Sequence, residues 1–329
     1  MKTSSTLSWL LEKDNPSVRF LTLTDILERP TDDKEVQEAR MAIMESPLIQ
    51  KLLSAQNADG SWGLPERFYT DKYEGTVWNL ILLAELGADG NDPRVKATCE
   101  FILNHSQDPE SGGFSYAMSA KTGHGLSGSV APCLTGNMVF SLIRLGFLHD
   151  PRVQKAIAWI VRYQRTDDGV KLIPEEDKYA KLYTCFGKHS CHMGAAKALK
   201  ALVEIPTAER SPQVKTKIAE LTEYFLIHHI HKKSHALSED AKPGWKLLGF
   251  PLMYNTDVLE MLHLFAKLKQ NDARLKEAMD VLISLQTEDG RWLLQNSFNG
   301  KMRISIEKKG EPSKWLTLKA LYVLKEFAM

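Results

Sequence analysis

An internal repeat of about 60 residues constrains this chain more than any other feature, since a fixed period of that length decides the architecture before local propensity does. Apolar stretches that end in Leu before a turn recur with their last leucines at Leu27, Leu86, Leu145, Leu202, Leu268 and Leu324, separated by 59, 59, 57, 66 and 56 residues. Between them runs a second series: Asp92-Pro93-Arg94-Val95, Asp150-Pro151-Arg152-Val153, Ser211-Pro212-Gln213-Val214 and Asn271-Asp272-Ala273-Arg274. Each opens an amphipathic stretch with Pro or Asp in its first turn. A third mark closes those stretches. Gln56 to Trp62, Gln107 to Phe114, Gln164 to Val170 and Gln286 to Trp292 each run from Gln through acidic residues and Gly to an aromatic or apolar residue.

Each repeat therefore reads as two antiparallel helices, one with a polar face and one apolar or small-residue all round, and the second kind belongs inside. Six inner helices, each preceded by an outer one, predict an all-α fold of the (α/α)6 toroid kind, a single domain over residues 1–329. The ends favour a closed ring over an open solenoid, which would call for polar capping repeats. Pro312-Ser313-Lys314-Trp315-Leu316-Thr317-Leu318 echoes Pro16-Ser17-Val18-Arg19-Phe20-Leu21-Thr22-Leu23. In the closers, Gly is expected to terminate the helix and Trp62 and Trp292 to pack the next layer.

By length alone 329 residues suggest two domains of about 150, with one large domain allowed. A chain of this size buries roughly 75% of its unfolded surface, so it builds a core without disulfide staples. Lys+Arg 42 against Asp+Glu 41 leaves a net charge of +1, which argues against a nucleic-acid partner. The longest apolar runs, such as Val77 to Leu83, fall short of the roughly 20 residues that span a bilayer. The N-terminus has only a short apolar patch before Glu12-Lys13-Asp14 and makes a poor signal peptide. Four cysteines are too few for a secreted disulfide framework. The expectation is a cytoplasmic protein with reduced thiols.

In such a ring the inner helices run parallel and their N-termini collect at one mouth of the central cavity. The starts read Tyr73-Glu74-Gly75-Thr76, Cys133-Leu134-Thr135-Gly136-Asn137, Ser190-Cys191-His192-Met193-Gly194, Tyr254-Asn255-Thr256-Asp257 and Ser313-Lys314. N-capping accounts for Thr76, Thr135, Thr256, Asp257 and Ser313. It does not call for Cys or His. Cys133 and the Cys191-His192 pair stand at equivalent places 58 residues apart, and Cys185 and His189 precede that pair in a loop able to fold over the same spot. Thiolate and imidazole donors in this number suit tetrahedral zinc, and a helix N-terminus favours the thiolate. The alternative is that they are small buried hydrophobes and a core histidine, as Cys99 in an outer segment is expected to be. With Cys185 as a fourth ligand the metal is structural; without it, an open position holds water or a substrate thiolate. His189, Tyr254 and Asp257 are then candidates for proton transfer, and Trp78 and Trp315 for lining an apolar cavity that takes a small hydrophobic or peptide substrate. His231 and His235 suggest either a second metal site or the cationic end of an outer helix. Segment 107–130, with His124, reads as either a lid or a surface loop.

The Gln-x-x-Asp-Gly-x-Trp closers and the six-fold pairing resemble the α/α-toroid superfamily of terpene (squalene) cyclases and protein prenyltransferase β subunits. The resemblance covers nearly the whole chain and implies the fold more than the reaction. Cys133 followed by Cys191-His192 is also similar to the zinc ligands of lanthionine cyclases, with Gly194 one place late, Pro132 where that family has an aromatic residue, and Met193 between His and Gly. The resemblance implies zinc, and an isoprenoid-like or other hydrophobic substrate. The chain has no Asp-x-Cys pair of prenyltransferases and no Asp-x-Asp-Asp of squalene cyclases. Three functions stand open: a zinc enzyme, a metal-free cyclase with Asp257 or Glu74 as the acid, and a non-catalytic binding toroid with structural zinc.

Overall fold

The computed structural model describes residues 2–168, 179, 182–187 and 190–327. The helices, in chain order, are α1 (Lys2–Leu10), α2 (Pro16–Leu21, prolonged by a π turn over Thr22–Ile26), α3 (Lys34–Met44), α4 (Pro47–Ser54), α5 (Thr76–Glu85), α6 (Pro93–His105) and α7 (Pro132–Arg144). They continue with α8 (Pro151–Tyr163), α9 (Tyr183–Phe186), α10 (His192–Val203), α11 (Pro212–Ile227), α12 (Val258–Lys267), α13 (Lys276–Ser284) and α14 (Lys314–Glu326). A small hairpin pairs β1 (Lys232–Lys233) with β2 (Ala236–Asp240). The fold is all-α, built from the paired inner and outer helices of the α/α-toroid class, with α2, α5, α7, α10, α12 and α14 as the inner set. Among the described residues no helix is long and apolar enough to cross a membrane.

Burial follows the expected division. Every residue of α5 is buried, as is α10 from Gly194 to Val203, whereas outer α8 buries only the stripe Val153, Ala156, Ile157, Trp159, Ile160 and Tyr163. Helices with no polar face have nowhere else to go, and the stripe is the apolar face of an amphipathic helix. The outer starts carry out the capping that their sequences announce. Asp92 and Asp150 accept from the backbone N–H of Arg94 and Arg152, both at 2.8 Å, and Asp272 from that of Arg274 at 2.9 Å. Each Arg then folds back onto the same carboxylate, and Arg274 holds Asp272 down at about 2.

The chain divides into two compact units, one of Met1–Leu52, Phe225–Leu252 and Thr256–Met329, the other of Leu53–Tyr224 and Met253–Asn255. In the second unit α7 lies between α5 and α10, with α6 on α5 and α8 on α7. In the first unit α14 lies between α12 and α2, with α13 on α12, α3 on α2 and α1 on α14. The last inner helix thus packs on the first, as the echo between the two chain ends implied. It is strapped there at both tips. Lys314 pairs with Glu12 at 2.8 Å and with Asp14, and Lys325 donates to the carbonyls of Asp25 and Ile26 at 3.1 and 3.2 Å.

Two expectations change. After Ile227 the chain leaves the helix through His229 and Ile230, both at positive φ, so His231 and His235 do not share a helical turn. His231 is buried 3.5 Å from Asp240, with burial holding its pKa down, and His229 lies 3.1 Å from Glu277; the second metal site is not formed. Segment 107–130 is pinned by bridges between Gln107 and Phe114, Ser115 and Val130, and Met118 and Gly125. His124 Nδ1 sits 2.7 Å from the carbonyl of Asn104. This connection is tied along its length.

The closers show why Gly is required. Gly60 has φ +87°, and a Cβ there would come within 2.4 Å of the Ala97 carbonyl on α6, so the turn lies directly on the next outer helix. Gly146 has nearly the same φ, +88°, with nothing within 4 Å. Gly60→Ala should therefore cost about 3 kcal/mol or more of unfolding free energy, and Gly146→Ala only the left-handed strain of about 1–2 kcal/mol. Urea denaturation of the two variants checks this; equal losses would contradict it.

Candidate functional site

Two inner-helix starts and one short helix meet in the second unit. α7 and α10 approach closely because Gly136 of α7 faces the backbone of Lys197 on α10, where a Cβ would lie 2.5 Å from the carbonyl carbon. Their N-termini carry Cys133 in the first turn of α7 and Cys191 as the N-cap of α10. Cys185 comes from α9, whose neighbour Phe186 is buried against Tyr179 and Trp159, with ring centroids 5.1 and 6.3 Å away. Arg165 secures the same turn by donating to the Gly187 carbonyl.

The three thiols are neighbours. Cys185 is hydrogen bonded to Cys191, and each of Cys133 and Cys185 feels the charge of Cys191. All three are half-buried, in contrast with Cys99, which is fully buried in α6 as expected of a core residue. The helix N-terminus was expected to favour the thiolate at Cys133, and the balance goes the other way. Burial, then Cys191, pushes Cys133 up to about 12, and the Leu134 N–H only partly offsets this. Cys185 is raised by its bond to Cys191 and by burial.

His192, the first residue of α10, turns to Tyr224 on α11, its Nδ1 3.2 Å from the hydroxyl and the ring centroids 5.3 Å apart. That hydroxyl donates to the carbonyl of Ser190 at 3.2 Å. With its one proton so used, Tyr224 accepts from Nδ1–H, and the lone pair of His192 falls on Nε2. Among the described residues no group of three or more His, Cys, Asp or Glu is disposed around a common point for a metal ion. His189 lies outside the described residues.

An aromatic group borders the thiols. Tyr69 is raised by burial and then by Cys133, Tyr254 and Cys185. It packs on Trp78 with centroids 5.1 Å apart and on Tyr116 at 5.8 Å. Tyr254 joins because Asn137 of α7 donates to the Met253 carbonyl at 3.1 Å, which holds Met253–Asn255 in this unit. Its hydroxyl lies 3.3 Å from that of Tyr73. Sequence reasoning picked out Tyr254 and Trp78 and missed Tyr69 and Tyr73. The cluster of aromatic residues from Phe68 to Tyr73, just before an inner start, was the available signal. A cavity of about 520 Å³ elsewhere in this unit, between α8 and α11 and lined by Leu148, Ile157, Val161 and Val214, carries no cysteine.

Asp257 is the N-cap of α12, its two oxygens accepting from Glu260 N at 2.8 Å and Gly249 N at 2.9 Å; Ser313 caps α14 in the same way. Thr76 and Thr135, expected as caps, instead accept from the backbone N–H of closer residues Trp62 and Phe114 at 3.1 and 2.9 Å. Thr256 is buried and Glu74 is exposed. Trp315 is buried and stacked on Phe250, with centroids 4.3 Å apart.

No protein-family model and no curated protein sequence matches the chain. Among solved structures, it is similar to a family 76 glycoside hydrolase from a bovine Bacteroides thetaiotaomicron strain, with 14% identity and a TM-score of 0.47, covering 96% of this chain and 68% of that one. The type II terpene cyclase MstE from Scytonema gives 16% identity and a TM-score of 0.45, covering 98% and 99%. A possible member of the GH105 family from Salmonella enterica gives 10% identity and a TM-score of 0.47, covering 96% and 82%.

Asp257 generates a pH dependence of stability. Burial, opposed by its two N–H donors, lifts its carboxyl to about 6 from an ordinary 3.8. Below the lower value folded and unfolded chains both hold the proton; between the two only the folded chain does. Stability therefore falls as pH rises through this window, by about 3 kcal/mol in all. Unfolding titrations from pH 4 to 7 should show that slope in the wild type and its loss in Asp257→Asn, and parallel profiles would exclude Asp257 as the source.

Proposed function

We propose that the protein is an enzyme whose chemistry is centred on the thiols at the starts of α7 and α10, with one zinc held by Cys133, Cys191 and His192, and with Cys185 as the fourth donor whose binding or absence sets whether the metal is closed or open to substrate. The observation that carries the reading is the meeting of three cysteines from three separate stretches of chain in one half-buried place. The donor set, sulfur with one imidazole, is the set zinc prefers. The Tyr224 hydroxyl orients the imidazole through Nδ1, as second-shell partners of metal-bound histidines do, and leaves Nε2 for the ion.

As they stand, Cys185 is hydrogen bonded to Cys191 and His192 is turned to Tyr224, so binding an ion requires these side chains to rotate. Bound zinc would supply thiolate formation near neutral pH and Lewis acidity. The chain's own part is to exclude water on the α9 side through Phe186 and to offer Tyr69, Trp78 and Tyr254 as an apolar wall for a hydrophobic substrate. Tyr254, whose hydroxyl meets that of Tyr73, is a candidate for proton transfer among the described residues of this unit.

Metal analysis of purified protein should find close to one zinc per chain. Cobalt substitution should add sulfur-to-cobalt charge-transfer absorption, which falls in Cys133→Ala and Cys191→Ala. Cys185→Ala separates the roles: loss of zinc together with the fold marks a structural metal, whereas retained zinc and fold with altered thiol reactivity marks an open, catalytic one. Protein that takes up neither metal and folds without them defeats the proposal.

A further inference from the structure

The aromatic group beside the thiols already holds a cation. The ammonium of Lys72 lies 4.9 Å from the ring centroid of Tyr254, 5.2 Å from that of Tyr69 and 5.8 Å from that of Trp78, all within cation–π range. Lys72 itself is exposed, and its one carboxylate neighbour in sequence, Asp71, is paired with Arg67 at 2.5 Å. No carboxylate is paired with the ammonium among the described residues, so the three ring faces are its protein partners there.

The walls are set independently of Lys72. Trp78 is 1% exposed, and its indole N–H is spent on the carbonyl of Tyr69 at 2.9 Å, which fixes the ring and presents its face. Tyr73 stands edge-on to Trp78 with centroids 5.1 Å apart and near-parallel to Tyr254 at 6.4 Å. The Tyr73 and Tyr254 hydroxyls meet at 3.3 Å, so the two rings support each other from stretches of chain 181 residues apart. Such a box is preorganised, and the flexible side chain at its mouth is the part that moves.

We propose that these rings form a binding site for the quaternary ammonium group of a small molecule, and that Lys72 occupies it as an intramolecular stand-in. A primary ammonium is strongly hydrated and gains least from a ring face, whereas a quaternary one has a weak hydration shell and a larger contact area. The absence of a paired carboxylate selects in the same direction, since a small hydrated cation would need oxygen ligands. Lys72 lowers the apparent affinity by the fraction of time it fills the box. The site contains no sulfur or imidazole, so it stands whether or not the thiols hold zinc.

Calorimetric or NMR titration with tetramethylammonium chloride tests this, with sodium chloride at equal ionic strength as the control. Lys72→Ala should bind at least tenfold more tightly than the wild type. In the Lys72→Ala background, Tyr254→Leu should weaken binding at least tenfold, and Tyr69→Leu should do the same if Tyr254→Leu fails to fold by circular dichroism. Equal binding by wild type and Lys72→Ala, no loss in the ring variants, or the same response to sodium chloride would overturn the proposal.

Discussion

The hydrogen bonds of the closing turn are what the rest of the structure depends on. The Gln56 amide donates to the carbonyl of Gly60 in its own turn and, at 2.9 Å, to that of Arg94 in the first turn of α6. One repeat on, the Gln107 amide does the same with Gly112 and Arg152, both at 2.8 Å. A helix needs no partner for its first-turn carbonyls, so these bonds serve to dock one repeat's turn on the next repeat's outer helix. The aromatic end of each closer completes the joint. The backbone N–H of Trp62, Phe114 and Trp292 reaches the hydroxyl of Thr76, Thr135 and Thr317, respectively, on an inner helix. One short motif thus joins its own turn, an outer helix and an inner helix.

The same joint explains how much of the fold was legible. Periodicity in Leu, the Asp-Pro-Arg starts and the Gln-to-Trp closers each reflect one local physical requirement, and requirements that recur in every repeat are visible in sequence. The contents of inner α5 and α10, with no polar face, left them only one place. The threonines were harder. Thr135 at an inner start is compositionally what a cap would be, and only the path of the chain from Phe114 across the closer reveals that its hydroxyl serves that residue. Capping bonds are set by neighbours three residues away, and Asp257 and Ser313 were readable for that reason.

That the three thiols would be neighbours was legible, and their protonation balance was not. Matching repeat positions brought Cys133 and Cys191 together, and Cys185 followed through its loop. What the sequence did not carry was the balance of fields. A helix N-terminus stabilises a thiolate by a fraction of what a half-buried pair of neighbouring thiols costs, so Cys133 ends above an ordinary thiol. The box around Lys72 was illegible for a different reason. It depends on Tyr254, which is held beside Tyr69 and Tyr73 by the Asn137 bond to the Met253 carbonyl and by its own contact with the Tyr73 hydroxyl. No local pattern encodes a contact made across more than a hundred residues.

The opposite end of the same three inner helices shows why the thiol end holds its geometry. Lys200 of α10 is paired with Glu85 at the end of α5, and its ammonium lies 4.2 Å from the Phe140 ring of α7. Both charged groups are nearly buried, at 8% and 9% side-chain exposure. Taking two charges out of water costs several kcal/mol each, so a pair like this adds little to stability over a hydrophobic filling. Its effect is on register. An axial slip of α10 past α5 by one residue, about 1.5 Å, would separate the charges in a medium that does not tolerate them apart. Arg144 and Glu204, 3.7 Å apart, make a second link at that end between α7 and the residue after α10. A register locked at the C-terminal ends fixes the N-terminal ends as well, because helices are rigid along their axes. Cys133 and Cys191 therefore take their mutual spacing from the helices that carry them.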